Sequence, residues 1–215
     1  MKILITGFEP FGGEAINPSW EAVRALPDEI AGAEVIKLMI PVVFGRSAEL
    51  VRAAIAEHDP DVIISVGQAG GRFAVSPERV AINIDDARIP DNDDKQPIDV
   101  VIRDDGPAAY FTSLPVKAMV TAMREAGIPA QVSNTAGTYV CNHMMYQILY
   151  FIDREFPGKR GGFIHVPYSP QQVAAQPPQP SMGIDDMTTA LQAGLEAVVA
   201  YTGKPDEHTV GGAVH

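Results

Sequence analysis

The chain of 215 residues has one cysteine, Cys141, and so cannot form an internal disulfide; nothing in it argues for an oxidising compartment, and a cytoplasmic location is expected. It has no run of about 18 apolar residues, so no membrane span is expected. The opening Met1-Lys2-Ile3-Leu4-Ile5 has too short an apolar stretch for a secretory signal and no cleavage site, and reads as a first buried strand. Basic residues are outnumbered, 16 Lys and Arg against 27 Asp and Glu, for a net charge of −11. That balance disfavours nucleic acid and anionic membranes as partners. No Pro/Gly-rich linker and no internal repeat divides the sequence. One domain over residues 1–203 is expected, followed by a flexible tail over residues 204–215.

Metal and nucleotide signatures are also missing. The acidic cluster Asp85, Asp86, Asp91, Asp93 and Asp94 lacks the glycine and glutamate of a calcium loop, and no Cys/His cluster suits zinc. The loop Gly7-Phe8-Glu9-Pro10-Phe11-Gly12-Gly13 has the glycines of a phosphate loop but Glu14 where lysine should follow. No metal and no cofactor is expected.

What is present is an alternation of strands and helices. Strands are expected at residues 2–6, 33–39, 61–66, 78–84, 130–133 and 162–166, with a short one at 100–102. Helices are expected at 18–26, 46–58, 114–125, 139–156 and 185–201, with a Pro/Gln-rich loop at 168–180. Asn17 followed by Pro18 is a helix start. The pattern implies a single α/β domain with a twisted, mostly parallel or mixed sheet and helices on both faces. Ligands in such sheets sit beyond the carboxyl ends of the strands, where Gly7, Gly67, Gly137 and His165 all fall.

Cys141 is expected in the first turn of a helix, after a short Gly turn. Unpaired N–H groups and the helix dipole favour a thiolate there, and the thiolate is the nucleophile. A lone cysteine is also often only a small buried hydrophobe. Of the five histidines, His208 and His215 lie in the tail and His58 closes a helix. His143 stands two residues from Cys141 and points away from it on a helix. His165, in Phe163-Ile164-His165-Val166-Pro167, ends a buried strand and fits either a core histidine or a base. Glu78 starts an alternating strand and fits either an exposed partner of Arg79 or the carboxylate that orients a base.

Five motifs in order resemble those of the pyrrolidone-carboxylate peptidases, also called pyroglutamyl peptidases: residues 6–13 with Asn17-Pro18-Ser19-Trp20, Gly67-Gln68-Ala69-Gly70-Gly71-Arg72, residues 77–83 with 86–92, residues 134–142, and residues 163–167. The resemblance covers residues 2–201. The tail beyond Lys204 has no evident counterpart, and Asp93-Asp94 stands where an acidic residue and glycine are expected. The resemblance implies a cysteine peptidase with Cys141 as nucleophile, His165 as general base and acid and Glu78 orienting the imidazole, acting through an acyl-enzyme on peptides with N-terminal pyroglutamate. It implies a fold similar in outline to the purine nucleoside phosphorylases and a homo-oligomer, commonly a tetramer. Phe8 and Phe11 are candidates for ring faces in the substrate pocket, Gln68 for reading the lactam amide, and Arg88 for supporting the oxyanion. A nucleoside phosphorylase or a non-catalytic binding module on the same fold are the competing expectations. The phosphorylase would need a phosphate site, for which only Arg72, Arg79 and Arg88 are at hand.

Overall fold

A computed structural model describes residues 1–212; residues 213–215, with His215 of the expected tail, lie outside the described residues. In chain order the elements are β1 (Lys2–Phe8), α1 (Pro18–Arg24), β2 (Glu29–Ile30), β3 (Ala33–Ile40), α2 (Arg46–His58), β4 (Val62–Gln68), β5 (Ser76–Pro77), β6 (Val80–Ile82), β7 (Ala109–Phe111), α3 (Val116–Glu125), α4 (Val140–Arg154), β8 (Arg160–Val166), α5 (Pro170–Val173) and α6 (Ile184–Ala200).

The main sheet has the order β2-β3-β1-β4-β8-β5. Strands β3, β1, β4 and β8 are parallel, and β2 and β5 are antiparallel to their neighbours. The continuous apolar runs of β1 and β4 follow from burial on both faces. Side chains alternate across the sheet with a period of two. Ile3, Ile5, Val62, Ile64, Ile164 and Val166 pack with α1, α3 and α6 on one side. Leu4, Ile63 and Phe163 pack with α2 and α4 on the other. The expected α/β sheet with helices on both faces is therefore present, and no described helix is long and apolar enough to cross a membrane.

Several elements differ from the sequence expectation. Residues 78–84 do not form one strand: β5 joins the main sheet and β6 pairs with β7 in a separate hairpin. Residues 130–133 form only isolated bridges with residues 75–79. The backbone bonds Val75 N–H to Pro129 O, Gln131 N–H to Val75 O, Ser133 N–H to Pro77 O and Arg79 N–H to Ser133 O are all made. The one missing from that ladder would come from Pro77, which has no N–H to give. Residues 100–102 contribute one bridge, Asp85 with Val100. The Pro/Gln-rich loop holds the short helix α5, started by Ser169 and Pro170.

Residues 204–212 run back over the domain. Asp206 accepts hydrogen bonds from the Lys117 and Ala118 N–H groups at the start of α3, a helix whose own N-cap is Pro115 and offers no side-chain acceptor. Glu207 accepts from Thr121 and Tyr201, and the Gly211 carbonyl accepts from Arg79.

Candidate active site

The carboxyl ends of β1, β4 and β8 carry Phe8, Gln68 and His165 to one edge of the sheet, where α4 begins. Two glycines make that assembly possible. A Cβ on Gly7 would stand 2.6 Å from the Trp20 Cα, so glycine lets α1 lie directly on β1. A Cβ on Gly67 would stand 2.7 Å from the Phe163 ring and 2.9 Å from the Cys141 Sγ. The thiol therefore sits over the bare backbone of β4. Gly67 is in register with His165 on the neighbouring strand. Phe163 and His165, two residues apart, share the sheet face that meets α4, with ring centroids 4.8 Å apart. The thiol thus lies over β4 and the imidazole projects from β8, the adjacent parallel strand, about 4.8 Å away.

His165 Nδ1 is 2.7 Å from Glu78 Oε1, and both side chains are buried. The same carboxylate oxygen accepts from Arg72 at 2.7 Å, and Arg72 also donates to the Thr135 carbonyl. Arg79, the neighbour considered from sequence, turns instead to the Gly211 carbonyl. An oxygen already accepting from a guanidinium leaves Nδ1 as the donor, so the lone pair of the imidazole is on Nε2. Burial holds the His165 imidazole below its ordinary pKa, against the raising effect of Glu78. Neutral imidazole with a free Nε2 is the form a general base requires.

The thiol departs from the sequence expectation. Burial first, and the Glu78 carboxylate second, push Cys141 up to about 12, with Arg72 pulling the other way. Cys141 thus rests as a thiol, not as the thiolate its place at a helix start suggests. Among the described residues no hydrogen bond joins its Sγ to the His165 imidazole on the neighbouring strand; such contacts commonly tighten only when substrate binds. As the second residue of α4, Cys141 has a backbone N–H with no intrahelical acceptor.

Beside the thiol is a pocket lined by Phe8, Phe11, Asn17, Val42, Gln68, Tyr139, Val140 and Cys141. Phe8, Phe11 and Gln68 come together there with Cys141. Asn17, Val42 and Tyr139 carry no sequence signal of a pocket role: Asn17 reads as a helix cap, a role it fills by accepting from the Ser19 N–H. Arg88 is exposed and does not line the pocket. Its loop is tied to the start of α4, since the Asp86 N–H donates to the Thr138 carbonyl and the Thr138 hydroxyl to the Asp86 carbonyl. The three arginines of a hypothetical phosphate site are engaged separately or exposed. Among the described residues, no group of three or more His, Cys, Asp or Glu could hold a metal ion.

Comparison with known proteins places this geometry in a family. A family model described as pyroglutamyl peptidase matches residues 1–201. A pyrrolidone-carboxylate peptidase of Lactobacillus johnsonii is 58% identical over 215 residues, all of both chains, and one of Clostridium botulinum is 59% identical over 199 residues, 93% of each. The full-length match extends past Lys204, so the C-terminal stretch does have a counterpart. Among solved structures, pyroglutamyl peptidase I of Bacillus amyloliquefaciens superposes with a TM-score of 0.94 at 48% identity, covering 97% of this chain and 99% of that one. A pyrrolidone carboxyl peptidase of Thermococcus litoralis superposes with 0.93 at 38% identity, with the same coverage.

Proposed function

This chain belongs to the pyroglutamyl peptidase family and is a peptidase, and we propose that it removes N-terminal pyroglutamate from peptides by cysteine catalysis with Cys141, His165 and Glu78. The observation that carries the proposal is one pocket lined by Phe8, Phe11, Gln68 and Cys141 beside a buried Glu78–His165 pair.

The pyroglutamyl ring is a flat, neutral lactam. Phe8 and Phe11 supply apolar faces for it, and Gln68 supplies hydrogen bonding for its amide. An open glutamyl terminus brings charge, and a prolyl terminus lacks the carbonyl and leaves buried polar groups unpaired. Because the resting thiol is neutral, proton transfer to His165 Nε2 accompanies attack of Sγ on the pyroglutamyl carbonyl carbon. Glu78 keeps Nδ1 protonated and stabilises the imidazolium that forms. The tetrahedral oxyanion takes a hydrogen bond from the Cys141 backbone N–H, and Arg88 is the side chain assigned to reach it when substrate closes the site. His165 then gives its proton to the departing amine as the C–N bond breaks, leaving a thioester on Cys141. Water, deprotonated by His165, attacks that thioester and releases pyroglutamate, and the thiol regains its proton. Side chains complete the cycle without a metal or organic cofactor. A thiol that must stay reduced suits the cytoplasm. The proposal includes a homo-oligomer, a tetramer by family resemblance; exposed Ile98, Val100, Val101 and Phe111 support an interface, and sedimentation tests it.

The test is hydrolysis of a pyroglutamyl fluorogenic amide under reducing conditions, beside alanyl and prolyl amides, with and without iodoacetamide. Cleavage of the pyroglutamyl amide alone, abolished by iodoacetamide, is the expected result. Equal cleavage of all three would discard the lactam pocket, and thiol-insensitive cleavage would discard Cys141.

A further inference from the structure

We propose that Arg72 is a fourth member of the Cys141–His165–Glu78 machinery, a positioning residue whose guanidinium neutralises the buried Glu78 carboxylate and ties it to the turn that leads into the nucleophile's helix. The inference rests on the cysteine mechanism given above. The loop after β4 sets the place of Arg72. Its N–H donates to the Ala69 carbonyl, and Gly71 has a φ of +82°, the left-handed value that a tight turn needs at its third position. The chain thus doubles back at once, and the Arg72 side chain reaches the Glu78–His165 pair.

Two bonds from one planar group then join two parts of the site. Nη1 donates to Glu78 Oε1 at 2.7 Å, and Nη2 donates to the Thr135 carbonyl at 3.1 Å. Thr135 belongs to the turn before α4: its hydroxyl accepts from the Gly137 N–H, and its carbonyl also accepts from the Ser133 hydroxyl. The Glu78 side chain has no exposed surface, and its Oε2 has no partner. Among the described residues, Arg72 is the only arginine or lysine paired with it. A carboxylate taken fully out of water is costly unless a counter-charge meets it. A point charge would neutralise Glu78, but the guanidinium fork holds carboxylate and carbonyl together. Arg72 acts through Glu78 and touches no reacting atom.

The same charge acts on the base and on the thiol. At His165, burial is the main influence against protonation, Glu78 favours it, and Arg72 opposes it. At Cys141, burial and Glu78 oppose the thiolate, and Arg72 favours it. Among the described residues, Glu78 and Arg72 are the ionisable groups acting on these two side chains; Arg79, next to Glu78, is turned to the Gly211 carbonyl. Arg72 therefore keeps the Nε2 lone pair open toward lower pH and eases the departure of the thiol proton. Without it the Glu78–His165 pair loses its neighbouring positive charge and takes up a proton at higher pH.

The experiment measures kcat/KM for the pyroglutamyl fluorogenic amide against pH, beside thermal unfolding, for Arg72→Gln, Arg72→Lys, Glu78→Gln and the double variant Arg72→Gln/Glu78→Gln. Arg72→Gln should move the acid limb of the profile up by about 1 pH unit, the low end for a carboxylate that loses an arginine, since Arg72 is 22% exposed. Arg72→Lys should keep that limb within about 0.5 unit of wild type, because the charge is restored. The double variant should hydrolyse within about threefold of Glu78→Gln alone, because Arg72 has then lost the group through which it acts. An unmoved acid limb in Arg72→Gln would overturn the proposal. So would a limb displaced equally in Arg72→Lys, or a double variant in which the two losses multiply, since either makes Arg72 only a support of the loop. Should Arg72→Gln fail to fold, the double variant, which buries no uncompensated charge, decides by the same comparison. A wild-type enzyme that spares the pyroglutamyl amide, or cleaves it after iodoacetamide treatment, would instead remove the cysteine mechanism itself, and that arm is read without any variant.

Discussion

Among the described residues there are two buried histidine–carboxylate pairs, and they differ in what lies beyond the imidazole. In one, His165 Nδ1 meets Glu78 at 2.7 Å; in the other, His143 Nδ1 meets Asp85 at 2.8 Å. Each carboxylate keeps one buried oxygen without a partner, Glu78 Oε2 and Asp85 Oδ1. At His143 the far nitrogen is occupied: Nε2 accepts from the Gly45 N–H at 3.2 Å and lies 3.4 Å from the Gln147 amide. Phe44 closes the ring edge-on. At His165 the far nitrogen has no partner among the described residues, and the Cys141 thiol, carried by α4, lies over Gly67 on the strand beside it. The same pair of functional groups is thus a brace in one place and a candidate base in the other. A lone pair left open toward a nucleophile, and not the histidine–carboxylate bond, is what distinguishes them.

The largest expected effect comes from the group only one pair faces. Cys141→Ser should lower kcat by roughly 10^4-fold or more with the fold retained, as loss of a nucleophile does; near-normal hydrolysis would end the distinction between the pairs. Glu78→Gln should come next. Its amide can hold the imidazole in the wrong tautomer, as happens when a triad acid is neutralised, and kcat should fall roughly 10^2- to 10^4-fold. A loss confined to thermal stability would make Glu78 a brace like Asp85. Arg88→Ala should lower kcat by about 10- to 100-fold with KM little changed, the signature of a contact made in the transition state; a change in KM alone would move Arg88 to substrate binding.

The smallest effect is on stability against pH. His165 is held below its ordinary pKa in the folded state, so unfolded chains take up a proton first as pH falls through about 6.5, and stability declines on that side. Cys141 is raised from about 9 to about 12, so unfolded chains lose the thiol proton first as pH rises past 9, and stability declines on that side too. Denaturant titrations across pH should show both slopes. Cys141→Ala should flatten the alkaline one and leave the acid one; an unchanged alkaline slope would mean that the thiol is not held protonated by its surroundings.

Much of the site was legible in the sequence because local pattern marks strand ends and helix starts. His165 after Phe163-Ile164, Gln68 after a buried strand and Cys141 before the apolar spacing of α4 all lie at the edge where parallel sheets bind ligands. The choice of partners is not legible in periodicity or spacing, and only the family resemblance joins Glu78 to His165. Glu78 pairs with Arg72 and with His165, 87 residues away, and not with the adjacent Arg79. Asp85, grouped by sequence with a solvated acidic loop, is buried against His143, 58 residues away. Neither pairing leaves a periodic trace. The thiol differs from its local expectation for a related reason: a helix start is a local feature favouring the anion, whereas burial and Glu78 are tertiary features opposing it, and they prevail. Likewise Asp206, in a stretch that reads as a tail, supplies the cap that α3 lacks in its own sequence.

The most direct test of the comparison is to make one change in both pairs, His165→Gln and His143→Gln, and to measure pyroglutamyl amide hydrolysis per folded molecule beside thermal unfolding. The account predicts that His165→Gln loses turnover by roughly 10^3-fold or more while remaining folded. It predicts that His143→Gln keeps turnover within a few-fold while losing about 1–3 kcal/mol of stability, as Asp85 and the Gly45 N–H lose a well-placed partner. A folded His143→Gln enzyme as inactive as His165→Gln, or a His165→Gln enzyme that still turns over, would contradict it.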